Sequence, residues 1–274
     1  MSLVQARVAV VGHVEWVDFA VVPRLPRPGE ILHARESWDE AAGGGAVAAV
    51  QMAKLTGGSL FFTALAGELG RRTAAQLTGQ GVSVHAAERE GAQRRAFTHL
   101  DDAGERTITV LGSRLVSRGD DALPWELLHE VDGVYFTGGD PGALEAARRA
   151  RVVVATPRAG ALREAGVAID VLVHSGRDVG EEPDALDPPP RTVVTTLGAK
   201  GGRWEGEGGS GSWDALPLPG PRVDAYGAGD SFAGGLTAGL AAGMPIAHAV
   251  ALGARCGVAN LTGRGPYAGQ LDLR

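Results

Sequence analysis

One cysteine, Cys256, is all the chain of 274 residues holds. That excludes an intrachain disulfide framework and a cysteine-based zinc site, and a single thiol fits a reducing compartment. The seven histidines are scattered without a His-x-x-x-His pair, which argues against a structural metal site. No polybasic run exists and the formal net charge is −6, so neither nucleic acid nor an anionic membrane surface is expected as a main partner. No apolar run reaches the roughly 18 residues of a membrane span. The stretch from Met1 to Arg7 lacks the apolar core of a secretory signal, and a cytoplasmic location is expected. Two nucleotide signatures are missing as well. There is no Gly-x-x-x-x-Gly-Lys-Ser/Thr string, and the first strand candidate ends at Gly12 without Gly-x-Gly-x-x-Gly. A P-loop protein and a dinucleotide-binding Rossmann fold are thereby set aside. No internal repeat is found.

Glycine, in contrast, is abundant, at 42 residues and without a triplet period. It clusters at turns and helix starts, which points to binding sites lined by backbone. Apolar residues make up 44% and charged residues 21%, ordinary globular usage. The length suits one large domain, or one with a small appendage. Short β-branched or aromatic runs at 7–11, 60–65, 133–137, 151–155, 167–173 and 192–197 alternate with helical stretches at 45–55, 71–79, 141–150 and 163–165. Continuous apolar strands such as Val8-Ala9-Val10-Val11 read as buried on both faces. Alternating βα units predict a parallel sheet with helices on both sides.

Two regions break that rhythm. The segment 15–36 carries Pro23, Pro26 and Pro28 between strand-like runs at 16–22 and 31–35, and 96–111 reads as two strands joined by the turn Asp101-Asp102-Ala103-Gly104. Together they predict a small antiparallel sheet, either an edge decoration or a lid over a pocket, the lid being favoured. The acidic and Pro-rich segment 181–191 reads as a surface connection. Gly206–Gly211 reads as a tip between short strands near Trp204 and Trp213.

The most informative stretch is Val223-Asp224-Ala225-Tyr226-Gly227-Ala228-Gly229-Asp230-Ser231-Phe232. Phe232, Leu236 and Leu240 recur at four-residue spacing, an apolar helical stripe. Gly-Ala-Gly at a helix N-terminus converges backbone N–H groups on an anion. Asp230 follows directly, either as a base for a hydroxyl attacking phosphate or as a plain N-terminal helix charge. The string resembles the Asp-Thr-x-Gly-Ala-Gly-Asp signature of the ribokinase-like (PfkB) carbohydrate kinases, with Ala225 in place of Thr.

The resemblance covers almost the whole chain and implies a three-layer α/β/α fold with a mostly parallel central sheet and a small antiparallel β lid. It implies a single domain over 1–274, with lid segments at about 14–37 and 94–111. The implied activity is ATP-dependent phosphorylation of a hydroxyl on a sugar or sugar-like molecule, with Asp230 as catalytic base and Gly227, Ala228 and Gly229 as anion hole. It places the acceptor at Asp18, followed by Pro26-Arg27-Pro28-Gly29-Glu30, and at Gly43, Gly44 and Gly45. The family has Asn where Val47 stands, which leaves out one sugar contact. ATP is implied at Thr196, Gly198 and Gly201 within Thr195-Thr196-Leu197-Gly198-Ala199-Lys200-Gly201-Gly202. Asn260 reads equally as a contact near adenine or as a helix cap. The Asn-x-x-Glu string linked to Mg²⁺ aligns with Ser175-Gly176-Arg177-Asp178, making Ser175 and Asp178 water-mediated Mg²⁺ ligands. Arg158, after Thr156-Pro157, reads as a phosphate contact or a structural ion pair. Asp140 before Pro141 is read as an N-cap. ATP and Mg²⁺ are the implied cofactors, with room for a monovalent cation, and the lid allows a monomer or a homodimer. A nucleoside acceptor is the nearest alternative, with His13, Glu15 and Trp16 beside the acceptor site. A non-catalytic sugar or nucleotide binder is the other.

Overall fold

The computed structural model describes residues 2–102, 104–183 and 185–273. Met1, Ala103 of the expected hairpin turn, Asp184 of the acidic connection and Arg274 lie outside the described residues. The first strand, β1 (Val8–Val11), is buried along its whole length. Its side chains alternate between two cores, Val8 and Val10 in one and Ala9 and Val11 in the other, as a strand sandwiched by helices requires.

Eight further strands flank it: β4 (Ser59–Ala66), β5 (Val82–Arg89), β8 (Gly133–Phe136), β9 (Val152–Ala155), β10 (Val171–Ser175), β11 (Thr192–Thr196), β12 (Gly202–Gly206) and β13 (Gly209–Trp213). Their order is β13-β12-β11-β10-β9-β8-β1-β4-β5. Every pairing from β11 to β5 is parallel, and only β12 and β13 run antiparallel at the edge. Helices α1 (Gly44–Thr56), α2 (Gly67–Gly79), α5 (Ala228–Ala241) and α6 (Ile246–Asn260) contribute to one core. Helices α3 (Pro141–Ala147) and α4 (Leu162–Ala165) contribute to the other. These are the three layers expected. Cys256 lies fully buried between α5 and α6, and burial pushes its thiol up to about 12. It is a packing residue. Asp140 accepts a hydrogen bond from Ala143 N at 2.8 Å with Pro141 at the first helical position, the N-cap expected.

The small sheet has the order β3-β2-β6-β7, from β2 (Glu15–Val21), β3 (Glu36–Ala42), β6 (Arg95–Leu100) and β7 (Arg106–Leu111). Two antiparallel hairpins, β2–β3 and β6–β7, are joined by a parallel pairing of β2 with β6. The strand expected at 31–35 is an exposed loop, with Ile31 87% exposed. The true partner of β2 begins at Glu36 because Val21 pairs with Glu36 and the register runs on to Ala42. The expected lid segment ending near residue 37 is therefore extended to residue 42. At the sheet edge, β5 lay outside the sequence reading, and β10 starts at Val171, not Val167.

One face of the small sheet presents Val17, Phe19, Ala96, Thr98 and Leu100, all buried. Phe19 stacks on Trp38 at 4.8 Å and meets Tyr226 edge-on at 5.0 Å. Tyr226 lies just ahead of α5, so this aromatic contact seats the lid over the start of that helix. Among the described residues, no helix is long and apolar enough to cross a membrane.

Candidate functional site

The turn before α5 is built by a buried carboxylate. Asp224 Oδ1 accepts from Tyr226 N at 2.7 Å and Oδ2 accepts from Gly265 N at 2.9 Å. Burial raises its pKa, and those two N–H groups pull the other way. The chain then turns at Gly227, whose φ of +79° lies in the left-handed region. A Cβ on Gly227 would lie 2.8 Å from Val47 Cγ1. Val47, the Val where the resemblance has Asn, is thus a buried strut under the turn. Gly229 is exposed, and a side chain there would meet nothing. The first-turn amides of α5 have no helical acceptors, and Gly229 leaves that side of the turn open. Replacing Asp224 with Ala removes both anchors of the turn. The expected loss is about 1–3 kcal/mol of stability, read by urea unfolding, together with weaker nucleotide binding.

Asp230 sits in the first turn of α5 and faces the first turn of α1. A Cβ on Gly44 would lie 2.8 Å from Asp230 Oδ1 and 3.3 Å from Thr137 Oγ1. Two helix N-termini therefore meet at this carboxylate, and both favour negative charge there. Burial nevertheless pushes the Asp230 carboxyl up to about 6. Arg106 and Arg158 pull it down, while Glu181 and Glu15 push it further up. The result is a carboxylate that is ionised at neutral pH and titrates close to it.

Arg106, Glu181, Arg158 and Glu15 are the charged side chains that act on this point. Arg106 of β7 donates from Nη1 to Ala225 O at 2.5 Å, tying the lid to the turn before α5. Glu181 accepts from Ser175 N at 2.7 Å and from Arg158 Nε at 2.8 Å. His13 Nε2 lies 3.5 Å from Glu15 Oε1, and Arg94 Nε lies 3.6 Å from the same oxygen. Glu15 abuts Gly43, where a Cβ would meet Glu15 Cγ at 3.3 Å.

The structure thus brings together Gly43, Gly44, Gly45, Gly227, Ala228, Gly229 and Asp230. Other expected site residues are placed elsewhere. Asp18 is one residue out of phase, because side chains alternate along β2. Val17 and Phe19 point toward the core, whereas Asp18 pairs with Arg95 at 2.7 Å on the opposite face. Trp16 shares that face, packs under Arg72 at 4.4 Å and donates from Nε1 to Asp39 at 2.7 Å. Asp178 caps the turn that follows, accepting from Gly180 N at 2.9 Å, and ion-pairs with Arg158. Ser175 Oγ accepts from Arg177 N at 3.2 Å. Both are engaged in the turn that also holds Glu181, and of the two carboxylates there Glu181 is the one whose charge acts on Asp230. Asn260 is fully buried and donates from Nδ2 to Pro266 O at 2.9 Å. It braces the C-terminal turn. Thr196 ends β11 with its hydroxyl 3.4 Å from His174 O, and Gly198 lies under the Arg177 guanidinium. Gly201 has φ +73°, and a Cβ there would fall 1.9 Å from Trp213 O. The fold itself demands that glycine, with no nucleotide invoked.

Glu181, Arg106, Arg94 and Arg114 were missed in the sequence. The only signal was position: Arg94 stands at the base of the lid hairpin, Arg106 opens its second strand just after the turn, and Glu181 stands three residues after Asp178. Among the described residues, no group of three or more His, Cys, Asp or Glu side chains forms a metal cage. That donor set fits Mg²⁺ carried on nucleotide phosphates and water, with one protein carboxylate nearby, and not a dedicated protein site.

Residues 181–272 match the model of the pfkB family carbohydrate kinases. A stretch of 77 residues is 36% identical to fructoselysine 6-kinase of Escherichia coli strain K12, covering 28% of this chain and 28% of that one. The matched stretch thus spans little more than a quarter of that curated relative. The fold resembles a ribokinase of Thermotoga maritima with a TM-score of 0.79 and 21% identity, over 97% of this chain and 96% of that one. It also resembles an Arabidopsis thaliana ribokinase solved with ribose and ATP, with a TM-score of 0.75 and 19% identity, over 99% and 96%.

Proposed function

From its place in the pfkB carbohydrate kinase family, given by residues 181–272 and by the ribokinase-like fold, we propose that this chain is an ATP-dependent kinase acting on a hydroxyl of a sugar-like molecule. The observation that carries the proposal is Asp230, held where two helix N-termini meet and raised to about 6. A base is most effective when its pKa lies near the working pH. Asp230 accepts the hydroxyl proton as the oxygen attacks the γ-phosphate. The amides of Gly227, Ala228 and Gly229 neutralise charge building on the transferred group. Mg²⁺ bound to the nucleotide neutralises phosphate charge, and Glu181 is the carboxylate placed to hold it through water. Arg106 draws β7 down onto the turn and excludes water from the transfer. Ile108 and Val110 share the face of β7 that carries Arg106, since their partners Thr98 and Ala96 face the core. They are 41% and 44% exposed and form an apolar overhang for the acceptor. The chain acts as one kinase domain, its lid strands lying within 15–42 and 95–111. The likeness to a ribokinase that binds ribose and ATP supports a sugar acceptor. Trp16, the residue that favoured base stacking, is engaged with Arg72 and Asp39, which supports the sugar over the nucleoside reading.

The test is ATP turnover with Mg²⁺ against a panel of sugars, sugar derivatives and nucleosides. Turnover on a sugar-type acceptor is expected. Tight nucleotide binding without turnover on any acceptor would support the non-catalytic reading instead. The charge balance at Asp230 gives a sharper check. Glu181 raises the Asp230 pKa, so Glu181→Gln should move the acidic limb of the pH–rate profile below about 6. The same variant should raise the Mg²⁺ concentration needed for half-maximal rate, whereas Asp178→Asn should leave that concentration unchanged. An acidic limb that stays in place would separate Glu181 from the base.

A further inference from the structure

The root of the lid, beside Gly43, holds more positive charge than the fold uses. Arg94 and Arg114 stand close enough to act on each other, on His13 and on Glu15. Glu15 is the only carboxylate within 4 Å of Arg94 or Arg114 among the described residues, and it lies 3.6 Å from Arg94 Nε, too long for a hydrogen bond. Arg94 Nε is buried without a hydrogen-bond partner. Arg114 has no ion pair among the described residues, and its one hydrogen bond runs from Nη1 to Arg158 O at 2.8 Å. Burial and then the neighbouring Arg94 lower its pKa, and the charge of Glu15 offsets this only in part. His13 is likewise nine-tenths buried, and its Nδ1 has no partner. Burial lowers the His13 pKa, so the ring is neutral at pH 7 and adds a polar atom without a charge. Desolvating a guanidinium without a partner is costly. Such an arrangement persists where a ligand supplies the anion.

We propose that the acceptor bears an anionic group, a carboxylate or a phosphate, that lies against Arg94 and Arg114 with His13 Nδ1 as a further hydrogen-bond partner. The guanidinium fork matches either group with paired hydrogen bonds. Glu15 holds His13 and Arg94 in place. The group lies beside Gly43, whose neighbour Gly44 touches Asp230, so the reacting hydroxyl is on the same small molecule. This inference rests on the kinase reading of the site and names its acceptor class.

Binding of D-gluconate, D-glucose 6-phosphate and D-glucose to the full chain decides it, measured by calorimetry with and without a Mg²⁺-loaded non-hydrolysable ATP analogue. The analogue occupies the turn at Gly227–Gly229, so an anion cannot bind there instead. At least one anionic probe should bind about tenfold or more tightly than D-glucose, and which one does identifies carboxylate or phosphate as the group. Arg114→Gln should reduce that preference to near unity while leaving affinity for the ATP analogue within about twofold. Its ligand-free thermal midpoint should change little, since Arg114 makes no ion pair among the described residues and one hydrogen bond, to Arg158 O. Arg114→Lys, which keeps the charge and loses the fork, should retain part of the preference. Equal binding of all three probes, or a preference that survives in both Arg114→Gln and Arg94→Gln, would overturn the inference. Failure of the ATP analogue to bind would instead overturn the kinase reading.

Discussion

Asp230→Asn should lower kcat by about 10²–10⁴-fold and at the same time make the protein more stable at neutral pH. Both effects follow from one feature, the desolvation that pushes the carboxyl from its ordinary value of 3.8 to about 6. The folded state holds that proton more tightly than the unfolded state. Between pH 4 and pH 6 the unfolded chain has released it and the folded chain has not, so stability falls as pH rises through that window. By pH 7 the ionised carboxylate costs on the order of 2–3 kcal/mol. Asn fills the same space without the charge. The thermal midpoint of the variant should therefore match the parent near pH 4 and exceed it at pH 7. Affinity for ATP should change little, because the amides of the α5 turn are untouched. Near-parental turnover would remove Asp230 from the chemistry. Stability curves that stay parallel across the window would mean that the carboxylate is not desolvated.

Much of this site was legible because its parts are local. The string from Asp224 to Asp230 fixes a brace, a left-handed glycine and a helix start within seven residues, and such units keep their geometry wherever they occur. The central strands were legible for a similar reason, since Val8–Val11 and Val152–Ala155 are apolar throughout. What escaped was information about phase and about distant partners. Asp18 and Val17 are neighbours in sequence, but a one-residue step on a strand exchanges the two faces, and only the packed face of β2 reveals which one looks toward Asp230. Asn260 looked like a ligand because it is polar near a helix end, yet its amide is used six residues on, at Pro266. Asp178 and Glu181 are separated by a single turn, and which of them couples to Asp230 depends on where Arg158, more than twenty residues upstream of Glu181, lays its guanidinium. Arg94 and Arg114 are twenty residues apart with the whole β6–β7 hairpin between them, and no local pattern announces that they converge on Glu15.

Gly227→Ala should cost roughly a hundredfold in kcat, and the loss should depend on Val47. Two penalties act at this position. The φ of +79° is a conformation that a residue with a Cβ enters at a cost of about 1–2 kcal/mol. The added methyl would also fall 2.8 Å from Val47 Cγ1, closer than packed atoms tolerate. Val47 has little freedom to withdraw. It is fully buried in α1, and its carbonyl accepts from Gln270 Nε2 at 2.9 Å. The turn must therefore give way, carrying with it the amides of Ala228 and Gly229 and the carboxylate of Asp230. A displacement of about 1 Å at a positioning element is enough for a loss near 10². Val47→Ala removes the clashing methyl and leaves only the backbone penalty. The double variant Gly227→Ala/Val47→Ala should then recover about tenfold in kcat over Gly227→Ala, despite the extra cavity in the core. Thermal midpoints of all four proteins separate that recovery from a change in fraction folded. If the double variant is no faster than Gly227→Ala, the backbone conformation alone sets the turn, and Val47 is not its strut.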